Sequence, residues 1–336
     1  MISPAIPFLI ALLVALFAGK PAINALKAGK TVQPISPDAP EKHRLKHGTP
    51  TMGGLFLCTA VVIGCIPFLR EPGVLSVLVI FLAGAVIGFM DDLGKARKKE
   101  NKAGLSERVK LGMQLLASAI FVGALYYETM GRTSVTTTIY PGFPLDLGWF
   151  YWPLAFLFVA FFGNAVNFTD GLDGLASGVT AIVALTLALL VSYTHGTPYF
   201  YLAVAGACAG FLYWNAYPAR VFMGDTGSQA LGMGMAAAAL TYKQEILFLI
   251  IGAIYLAEIG SMMLQRYVFK YRRIRFGIEY AKANRVFLRA PLHHHFEELG
   301  WHETQVVTRF YVLTLIAAAI GVLLAPYVTY LLLERG

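Results

Sequence analysis

The sequence predicts an all-α polytopic membrane protein of about ten transmembrane helices, and three observations lead to that fold class. Hydrophobic residues make up 57% of the 336 residues, whereas charged residues make up only 14%. A soluble protein of this length carries roughly a quarter charged residues. The apolar residues also fall into long runs separated by short polar stretches, as in helices that cross a bilayer. We treat residues 1–336 as a single integral membrane domain.

Each apolar run is predicted to form one spanning helix. Several runs are shorter than about 20 residues, so small or hydroxyl-bearing residues must complete those crossings. The first run lacks a small-residue cleavage site and is predicted to be a retained helix instead of a signal peptide. The three cysteines lie inside the runs without metal-ligand spacing and are predicted to be unpaired core residues. The ten runs cover residues 5–26, 50–69, 74–90, 109–128, 148–166, 175–192, 198–214, 227–242, 244–265 and 309–333.

Lysine and arginine are distributed unequally between the loops, and this sets the predicted orientation. If the loop at 27–48 is cytoplasmic, 22 of the 27 lysines and arginines lie on the cytoplasmic side and only four on the other. Positive charge marks the cytoplasmic side, so both termini are predicted to be periplasmic. The same bias accounts for the net charge of +8, and no nucleic-acid partner is inferred. A β-branched run with a Pro-Gly turn at 129–147 predicts a small periplasmic hairpin between the fourth and fifth helices.

Four groups of polar side chains interrupt the apolar pattern, and the predicted topology places all four at the cytoplasmic face. Amides and carboxylates between apolar helices indicate that something charged is bound there, either a cation or a cation-bridged phosphate. The spacing of Asn167, Asp170 and Asp173 puts these three on one side of a helical turn or tight loop. One site built from several loops is therefore predicted. The groups are Asp91-Asp92, Asn164 to Asp173, Asn215 with Asp225 and Ser228, and His293-His294-His295.

Asp91 and Asp92 are predicted to close the third helix. Carboxylates near a helix C-terminus oppose the helix dipole, and two adjacent like charges repel each other, so a cation or a basic partner must balance them. Two interpretations are open. Either the lysines just downstream supply that balance at a solvated helix end, or the pair acts on a ligand, with one carboxylate as a general base.

Asp225 lies between glycines at the start of the eighth helix, and it also has two interpretations. One is that its carboxylate caps its own helix. The other is that it binds Mg²⁺, which near phosphates takes one or two carboxylates and keeps several waters. Glu258 is the only acidic residue predicted in the body of a spanning helix. It is a functional candidate, although it could equally anchor Arg266 or a neighbouring helix.

Glycine-rich and histidine-rich segments complete the candidate site. The segment 48–54 is either a plain loop before a helix, or a backbone that approaches a phosphate at a helix N-terminus. The three histidines either ligate zinc or contact phosphate and sugar hydroxyls. Consecutive histidines in a loop converge on a metal less readily than an i, i+4 pair, so the second interpretation is favoured. Gly84, Gly88 and the Gly/Ala-rich eighth helix predict close helix packing.

Six motifs, in this order along the chain, resemble those of the polyprenyl-phosphate phospho-sugar transferases, and most closely those of the phospho-N-acetylmuramoyl-pentapeptide transferase family. They extend from residue 48 to the start of the last helix, so the resemblance covers nearly the whole chain. One motif would be weak evidence, whereas six in order are specific. The motifs are Gly48-Thr-Pro-Thr-Met-Gly-Gly54, Asp91-Asp92, Gly104-Leu-Ser-x-Arg108-x-Lys110, Asn164-Ala-Val-Asn167-x-Thr-Asp170-Gly-Leu-Asp173-Gly-Leu, Phe222-Met-Gly-Asp225-x-Gly-Ser228 and Ala290-Pro-Leu-His-His-His-Phe-Glu297.

The resemblance implies a reaction, a metal and a set of site residues. Undecaprenyl phosphate attacks the sugar-linked phosphate of UDP-N-acetylmuramoyl-pentapeptide, and lipid I and UMP form with Mg²⁺ required. A location in the bacterial inner (cytoplasmic) membrane, contact with membrane lipids and a homodimer are also implied. The implied catalytic residues are Asp91, Asp92 and Asp225, with Asp225 and Asn167 as metal ligands. The implied substrate-binding residues are Lys46, Thr51, Lys110, Asn167, Asp170, Asp173, Asn215, Phe222, Gly224, Ser228, Gln265, Ala290, His293, His294 and His295.

One segment departs from the family pattern, and two alternative functions are considered. Residues 270–284 are longer and more basic than expected, as in an amphipathic helix on the inner leaflet, and they leave the placement of the histidine segment open. The nearest alternative is a sister enzyme that uses UDP-N-acetylglucosamine, but the histidine run favours the muramoyl-pentapeptide substrate. The alternative from another class is a cation-coupled transporter. Transporters place acidic residues near the bilayer midplane, whereas these acidic groups are predicted at one face.

Overall fold

The computed structural model describes residue 3 and residues 5–29, 48–98, 104–131, 134–135, 145–193 and 198–325. These residues form thirteen α-helices and two very short strands. The helices are α1 Ile6–Ala28, α2 Gly54–Cys65, α3 Val74–Lys98, α4 Glu107–Glu128, α5 Tyr151–Thr169, α6 Leu175–Tyr193, α7 Tyr199–Asn215, α8 Gly224–Thr241, α9 Glu245–Ile251, α10 Ala253–Phe276, α11 Ile278–Ala283, α12 Leu292–Glu298 and α13 Glu303–Leu324. The strands, β1 Ser134–Val135 and β2 Leu145–Asp146, pair antiparallel in the segment where the hairpin was predicted.

Every predicted apolar run contains a helix, and the all-helical membrane architecture is confirmed at that level. Within the described residues, six helices are long and apolar enough to cross a bilayer, or seven if α9 and α10 form one bent span. Helix α8 is an informative exception, because its residues Thr226 to Leu240 are all buried. A helix enclosed by other helices needs no Leu- or Ile-rich surface against lipid. The number of spans and the side on which the termini lie remain predictions.

Two predicted helix boundaries are wrong. The third helix does not end at Asp91 and Asp92, because α3 continues to Lys98. An ion pair between Asp91 and Lys95, one turn later, supports the continuation. The run at 244–265 is not one helix, because α9 and α10 meet at Gly252 with a bend of 75°.

Close packing between α3 and α8 confirms the prediction made from their glycines. A Cβ atom at Gly84 would lie 2.7 Å from the carbonyl oxygen of Gln229, and a Cβ atom at Gly88 would collide with the carbonyl of Asp225. Both contacts are with backbone, which cannot move aside as a flexible side chain can. The two helix axes therefore approach as closely as glycine allows. This contact brings the polar end of α3 against the first turn of α8.

The core is built from large apolar side chains, small residues and buried cysteines. Phe81, Phe162, Phe200, Phe211 and Phe248 are all fully buried. The three cysteines are buried and unpaired, as predicted.

A separate polar cluster lies where α8 meets α9. Here Glu245 accepts a hydrogen bond from the hydroxyl of Tyr151 at 2.8 Å, and Lys243 donates to that hydroxyl at 2.8 Å. Glu245 is buried within this cluster.

Candidate active site

Three carboxylates converge where the end of α3 meets the start of α8. One oxygen from each of Asp91, Asp92 and Asp225 lies within 4.8 Å of the other two. Residues 91 and 225 are 134 positions apart in sequence, so only the α3–α8 contact brings them together. We call these three residues the acidic trio. The structure thus brings together carboxylates from segments distant in sequence, although Asp91 and Asp92 lie within α3 and not in a loop.

Asp92 is engaged with the backbone at the start of α8. Its Oδ1 accepts from the N–H of Asp225 at 3.1 Å, and its Oδ2 accepts from the N–H and the hydroxyl of Thr226 at 2.9 and 2.7 Å. Asp225 therefore does not cap its own helix; Asp92 caps that helix from α3. Gly224 makes this possible, because its φ is +74° and a Cβ atom there would lie 2.7 Å from Asp92 Oδ2. Hydrogen bonds to a charged acceptor contribute about 1.5–3 kcal/mol each.

Two lysines form ion pairs with the acidic trio. Lys95 Nζ lies 2.5 Å from Asp91 Oδ2 and 3.3 Å from Asp225 Oδ2, and Lys110 Nζ contacts the same oxygen of Asp225. Lys110 was predicted in the site from the family motif, whereas Lys95 was considered only as one of the downstream lysines that could balance the charge of Asp91 and Asp92. The signal for Lys95 was present in its spacing, because it lies four residues after Asp91 on one helix. A site of three anions and two cations retains one formal negative charge.

Asn167 and Ser228 extend this network from α5 to α8. The amide nitrogen of Asn167 donates to Asp225 Oδ1 at 3.0 Å and to the hydroxyl of Ser228 at 2.8 Å. Asp170 follows at the end of α5, where burial, with the charges of Asp225 and Asp92 adding, raises its pKa well above its usual range. Asn164, one turn before Asn167, points away from the acidic trio and forms a hydrogen bond with Gln114. The predicted polar segment is thus divided between the site and the interior.

Asp173 and Asn215 are buried, and both form hydrogen bonds with the backbone of loops near the acidic trio. The carboxylate of Asp173 accepts from the N–H of Ala219 at 2.9 Å, and its own N–H donates to Glu303 at 2.7 Å. Asn215 accepts from the N–H of Gly174 at 3.1 Å and donates to the carbonyl of Val221 at 2.9 Å. These bonds fix the α5–α6 turn against the entry to α8. As arranged, both side chains hold the loops that carry the site.

The glycine-rich segment before α2 is hydrogen-bonded to the segment that leads into α8, beside the acidic trio. Phe222 donates its N–H to the carbonyl of Pro50 at 2.9 Å, and its carbonyl accepts from the N–H of Gly53 at 2.9 Å. The hydroxyl of Thr51 would lie 3.0 Å from a Cβ atom at Gly224, so Thr51 borders the trio. Lys46, also predicted to bind substrate, lies outside the described residues.

The three histidines lie on a short helix, α12, and the prediction of a loop is wrong there. Pro291 precedes the helix, and the first histidine is buried. Glu258 contacts this helix: its Oε2 lies 2.7 Å from Nδ1 of His293. The anchor for Glu258 is therefore the histidine segment, while Arg266 pairs with Glu107 at 3.3 Å. No histidine joins the acidic trio, and the zinc interpretation gains no support from the described residues.

Gln265 and His295 hold the segment before α12. The side-chain oxygen of Gln265 accepts from the N–H groups of Val286 and Phe287 at 3.2 and 3.1 Å. His295 Nδ1 accepts from the N–H of Leu288 at 3.2 Å. Ala290, in the same segment, precedes a cis proline. The basic segment 270–284 is helical in α10 and α11, apart from a break at Gly277 and the last residue, Asn284.

Acidification is expected to destabilise the fold through His294. Burial lowers the pKa of His294 to about 4, against about 6.5 when unfolded, although the carboxylate of Glu297 acts in the opposite direction. Between these values the unfolded chain binds a proton that the folded chain does not, so stability falls as the pH drops from 6.5 towards 4. We expect the melting temperature of His294→Asn to fall less than that of the wild type between pH 7 and pH 5. Equal slopes would contradict this account.

A hard divalent cation suits the acidic trio. Carboxylate oxygens are the ligands preferred by Mg²⁺ and Ca²⁺, and thiolate or imidazole groups are absent from the trio. Two oxygens bound to one Mg²⁺ at about 2.1 Å are at most about 4.2 Å apart, close to the separation here. Asp225 is the most exposed member, because 15% of its side chain is accessible whereas Asp91 and Asp92 are buried. The arrangement fits a metal that also binds a phosphate.

Comparison with known proteins identifies a family. Residues 74–243, about half of the chain, match the protein family described as "Glycosyl transferase family 4". A phospho-N-acetylmuramoyl-pentapeptide-transferase of Gemmatimonas aurantiaca is 41% identical, over 94% of this chain and 90% of that protein. Proteins of the same name from Pelotomaculum thermopropionicum and Trichormus variabilis are 44% and 39% identical, over 94% and 97% of this chain and 96% and 88% of their own lengths. The family match at 74–243 contains α3, α4, α5 and α8, the four helices that carry the acidic trio, its two lysines and Asn167.

Proposed function

Because the chain belongs to glycosyl transferase family 4 and, within it, to the phospho-N-acetylmuramoyl-pentapeptide transferases, we propose that it transfers phospho-N-acetylmuramoyl-pentapeptide to undecaprenyl phosphate. UDP-N-acetylmuramoyl-pentapeptide is the donor, and the products are lipid I and UMP. The observation that carries this proposal is the acidic trio bridged by two lysines. It is a constellation for phosphate chemistry at one end of a helical membrane bundle.

The reaction exchanges one P–O bond for another. An oxygen of the lipid phosphate bonds to the phosphorus that carries the sugar, and the bond from that phosphorus to the bridging oxygen breaks, which releases UMP. Such transfers depend mainly on positioning and on neutralising negative charge. Lys95 and Lys110 supply fixed cations for this purpose. Asp91 lies beside both lysines and positions the lipid phosphate or accepts its proton, whereas Asp92 positions Asp225 by holding the first turn of α8.

Mg²⁺ is the proposed metal, with Asp225 as its main ligand. When bound, it would polarise the phosphoryl oxygens and neutralise charge that develops on them. Asn167 is the proposed second ligand, and its amide nitrogen already steadies Asp225 and Ser228. The two lysines leave one formal negative charge on the three carboxylates, which a bound cation would offset.

The nucleotide and sugar are proposed to lie around this centre. Phe222, Gly224 and Thr51 border it on the α2 side, and the α5–α6 turn borders it on the other. The histidine segment is proposed to close the phosphate and sugar end, and the substrate-binding residues implied by the family keep that role in this proposal. Besides Thr51, Asn167, Phe222 and Gly224, they are Lys46, Lys110, Asp170, Asp173, Asn215, Ser228, Gln265, Ala290, His293, His294 and His295.

The proposed setting is the bacterial inner membrane. A cytoplasmic-facing site suits a soluble nucleotide donor and a lipid acceptor that reaches it from the bilayer. The periplasmic termini and the homodimer are part of the same proposal, and neither is required for the chemistry above.

Release of UMP by the purified protein tests the function. We expect Mg²⁺-dependent UMP release with undecaprenyl phosphate and UDP-N-acetylmuramoyl-pentapeptide, and none with UDP-N-acetylglucosamine as donor. Turnover of the second donor alone would keep the chemistry and overturn the substrate. Folded protein without activity on either donor would reject the proposal.

Lys95→Met is expected to lower the transfer rate about a hundredfold. The substitution keeps the length of the side chain but leaves Asp91 and Asp225 with one cation fewer. The matched control is Lys282→Met, because Lys282 is an exposed lysine that pairs with Glu279 at 3.1 Å, also on the surface. Full activity in Lys95→Met would show that this ammonium group has no part in the reaction.

A further inference from the structure

A buried pair of side chains, Glu258 and His293, joins α10 to α12. Glu258 is fully buried and His293 is 1% exposed. Glu258 Oε2 lies 2.7 Å from Nδ1 of His293, and Oε1 accepts from the backbone N–H of the same residue at 3.2 Å. Both carboxylate oxygens are therefore committed to one residue. A clamp of this kind fixes both the position of the imidazole ring and its rotation.

The other ring nitrogen of His293 faces the α5–α6 turn. His293 Nε2 is buried and has no hydrogen-bond partner among the described residues. A Cβ atom at Gly171 would overlap this nitrogen, so the ring lies directly against the backbone between Asp170 and Leu172. Buried polar atoms nearly always have partners, and one without a partner requires an explanation. The explanation offered by this geometry is a group that arrives with the substrate.

The identity of the bonded nitrogen follows from the carboxylate. An ionised carboxylate only accepts hydrogen bonds, so Nδ1 carries the proton that lies between it and Glu258. Nε2 is then the nitrogen left to meet a ligand. The turn it faces carries Asp170 and lies three residues beyond Asn167, within the network around Asp225.

We propose that Glu258 is a positioning residue of the transferase, which holds His293 so that Nε2 meets an oxygen of the phospho-sugar beside Gly171. This inference rests on the proposed function. Glu258 touches no substrate itself and acts only through the ring. Carboxylates that orient a functional histidine in this way typically change activity 10–100-fold when they are replaced.

Steady-state kinetics provide the first test. Glu258→Gln is expected to lower kcat about 10- to 100-fold, while the KM for undecaprenyl phosphate stays within about twofold. The matched control is Glu245→Gln, which also alters a buried hydrogen-bonded carboxylate but in the cluster with Tyr151 and Lys243. It is expected to lower the melting temperature and to leave the kcat of the folded protein unchanged. Unchanged kcat in Glu258→Gln would overturn the proposal.

A double mutant separates positioning from a general structural role. If Glu258 acts through the ring, adding Glu258→Gln to His293→Asn causes no further loss of kcat. Multiplying losses would show that the two residues act independently and would overturn the proposal.

Nitrogen-15 NMR of ring-labelled histidine supplies a readout that needs no substrate. The chain has seven histidines, and the signals missing from His293→Asn identify His293. We expect its ring shifts to show a protonated Nδ1 and to move in Glu258→Gln, while the four histidines outside α12 keep theirs. Unmoved shifts would overturn the clamp even in an active enzyme. Moved shifts in a protein that transfers no phospho-sugar would instead reject the proposed function and leave the clamp standing.

Discussion

Replacement of Asp225 with asparagine is expected to lower the rate of UMP release by about a thousandfold or more. Asp225 is the residue on which the network converges, since Lys95, Lys110 and Asn167 all contact its carboxylate. The amide is similar in size but removes the charge that organises both lysines and that would bind the proposed metal. The fold should persist, because the N–H of residue 225 still donates to Asp92. The measurement is UMP release at saturating concentrations of both substrates and of Mg²⁺.

The control for Asp225→Asn is Glu107→Gln. Glu107 is a carboxylate whose side chain is 86% exposed and which pairs with Arg266 on the surface. Surface ion pairs contribute little, so this variant should keep the wild-type rate and melting temperature. A rate in Asp225→Asn above one tenth of the wild-type value would remove Asp225 from the centre of the mechanism.

Replacement of Gly88 with alanine is expected to abolish activity and to destabilise the fold by about 3 kcal/mol. The new Cβ atom would collide with the carbonyl of Asp225 and with the backbone of Thr226. Because neither group can rotate away, α3 and α8 must separate. The acidic trio is built across that contact, so the separation displaces the three proposed catalytic carboxylates as well. Thermal unfolding in detergent and UMP release measure the two effects.

Gly123→Ala is the matched control for this prediction. Gly123 is also a helical glycine, in α4, but a Cβ atom there meets nothing within 4 Å. Alanine favours a helix over glycine by up to about 1 kcal/mol, so this variant should be as stable as the wild type or slightly more so. If Gly88→Ala behaved like Gly123→Ala, the close approach of α3 and α8 would be wrong.

Much of the site could be predicted because its residues carry charge where charge is costly. Acidic residues beside apolar runs identified Asp91, Asp92 and Asp225, and the Lys/Arg distribution grouped their loops at one end. Lys95 was considered as a charge balance for Asp91 and Asp92 but not as a site residue, although its spacing from Asp91 on one helix was readable. The role of Asp92 was not readable. It depends on how far α3 and α8 are shifted along their axes relative to each other. These helices are far apart in sequence, and only their packing determines that shift.

Other differences arise from local geometry that composition does not reveal. Asn164 and Asn167 belong to one motif, yet Asn164 binds Gln114 in the interior while Asn167 reaches Asp225. The bend of 75° at Gly252 divides a run that is apolar on both sides of the break. The short helix α12 was predicted as a loop, because its three histidines favour no particular secondary structure strongly.

The bonds from Asp92 to the start of α8 have a consequence for how the protein assembles. The first turn of α8 obtains its hydrogen-bond acceptors from another helix, so it cannot be complete until α3 has docked. Helices inserted into the membrane but not yet docked would have most of their secondary structure and no acidic trio. Unfolding should show the same order in reverse. Catalytic competence is then lost in a local opening at the α3–α8 junction, at lower denaturant than is needed to lose helical content.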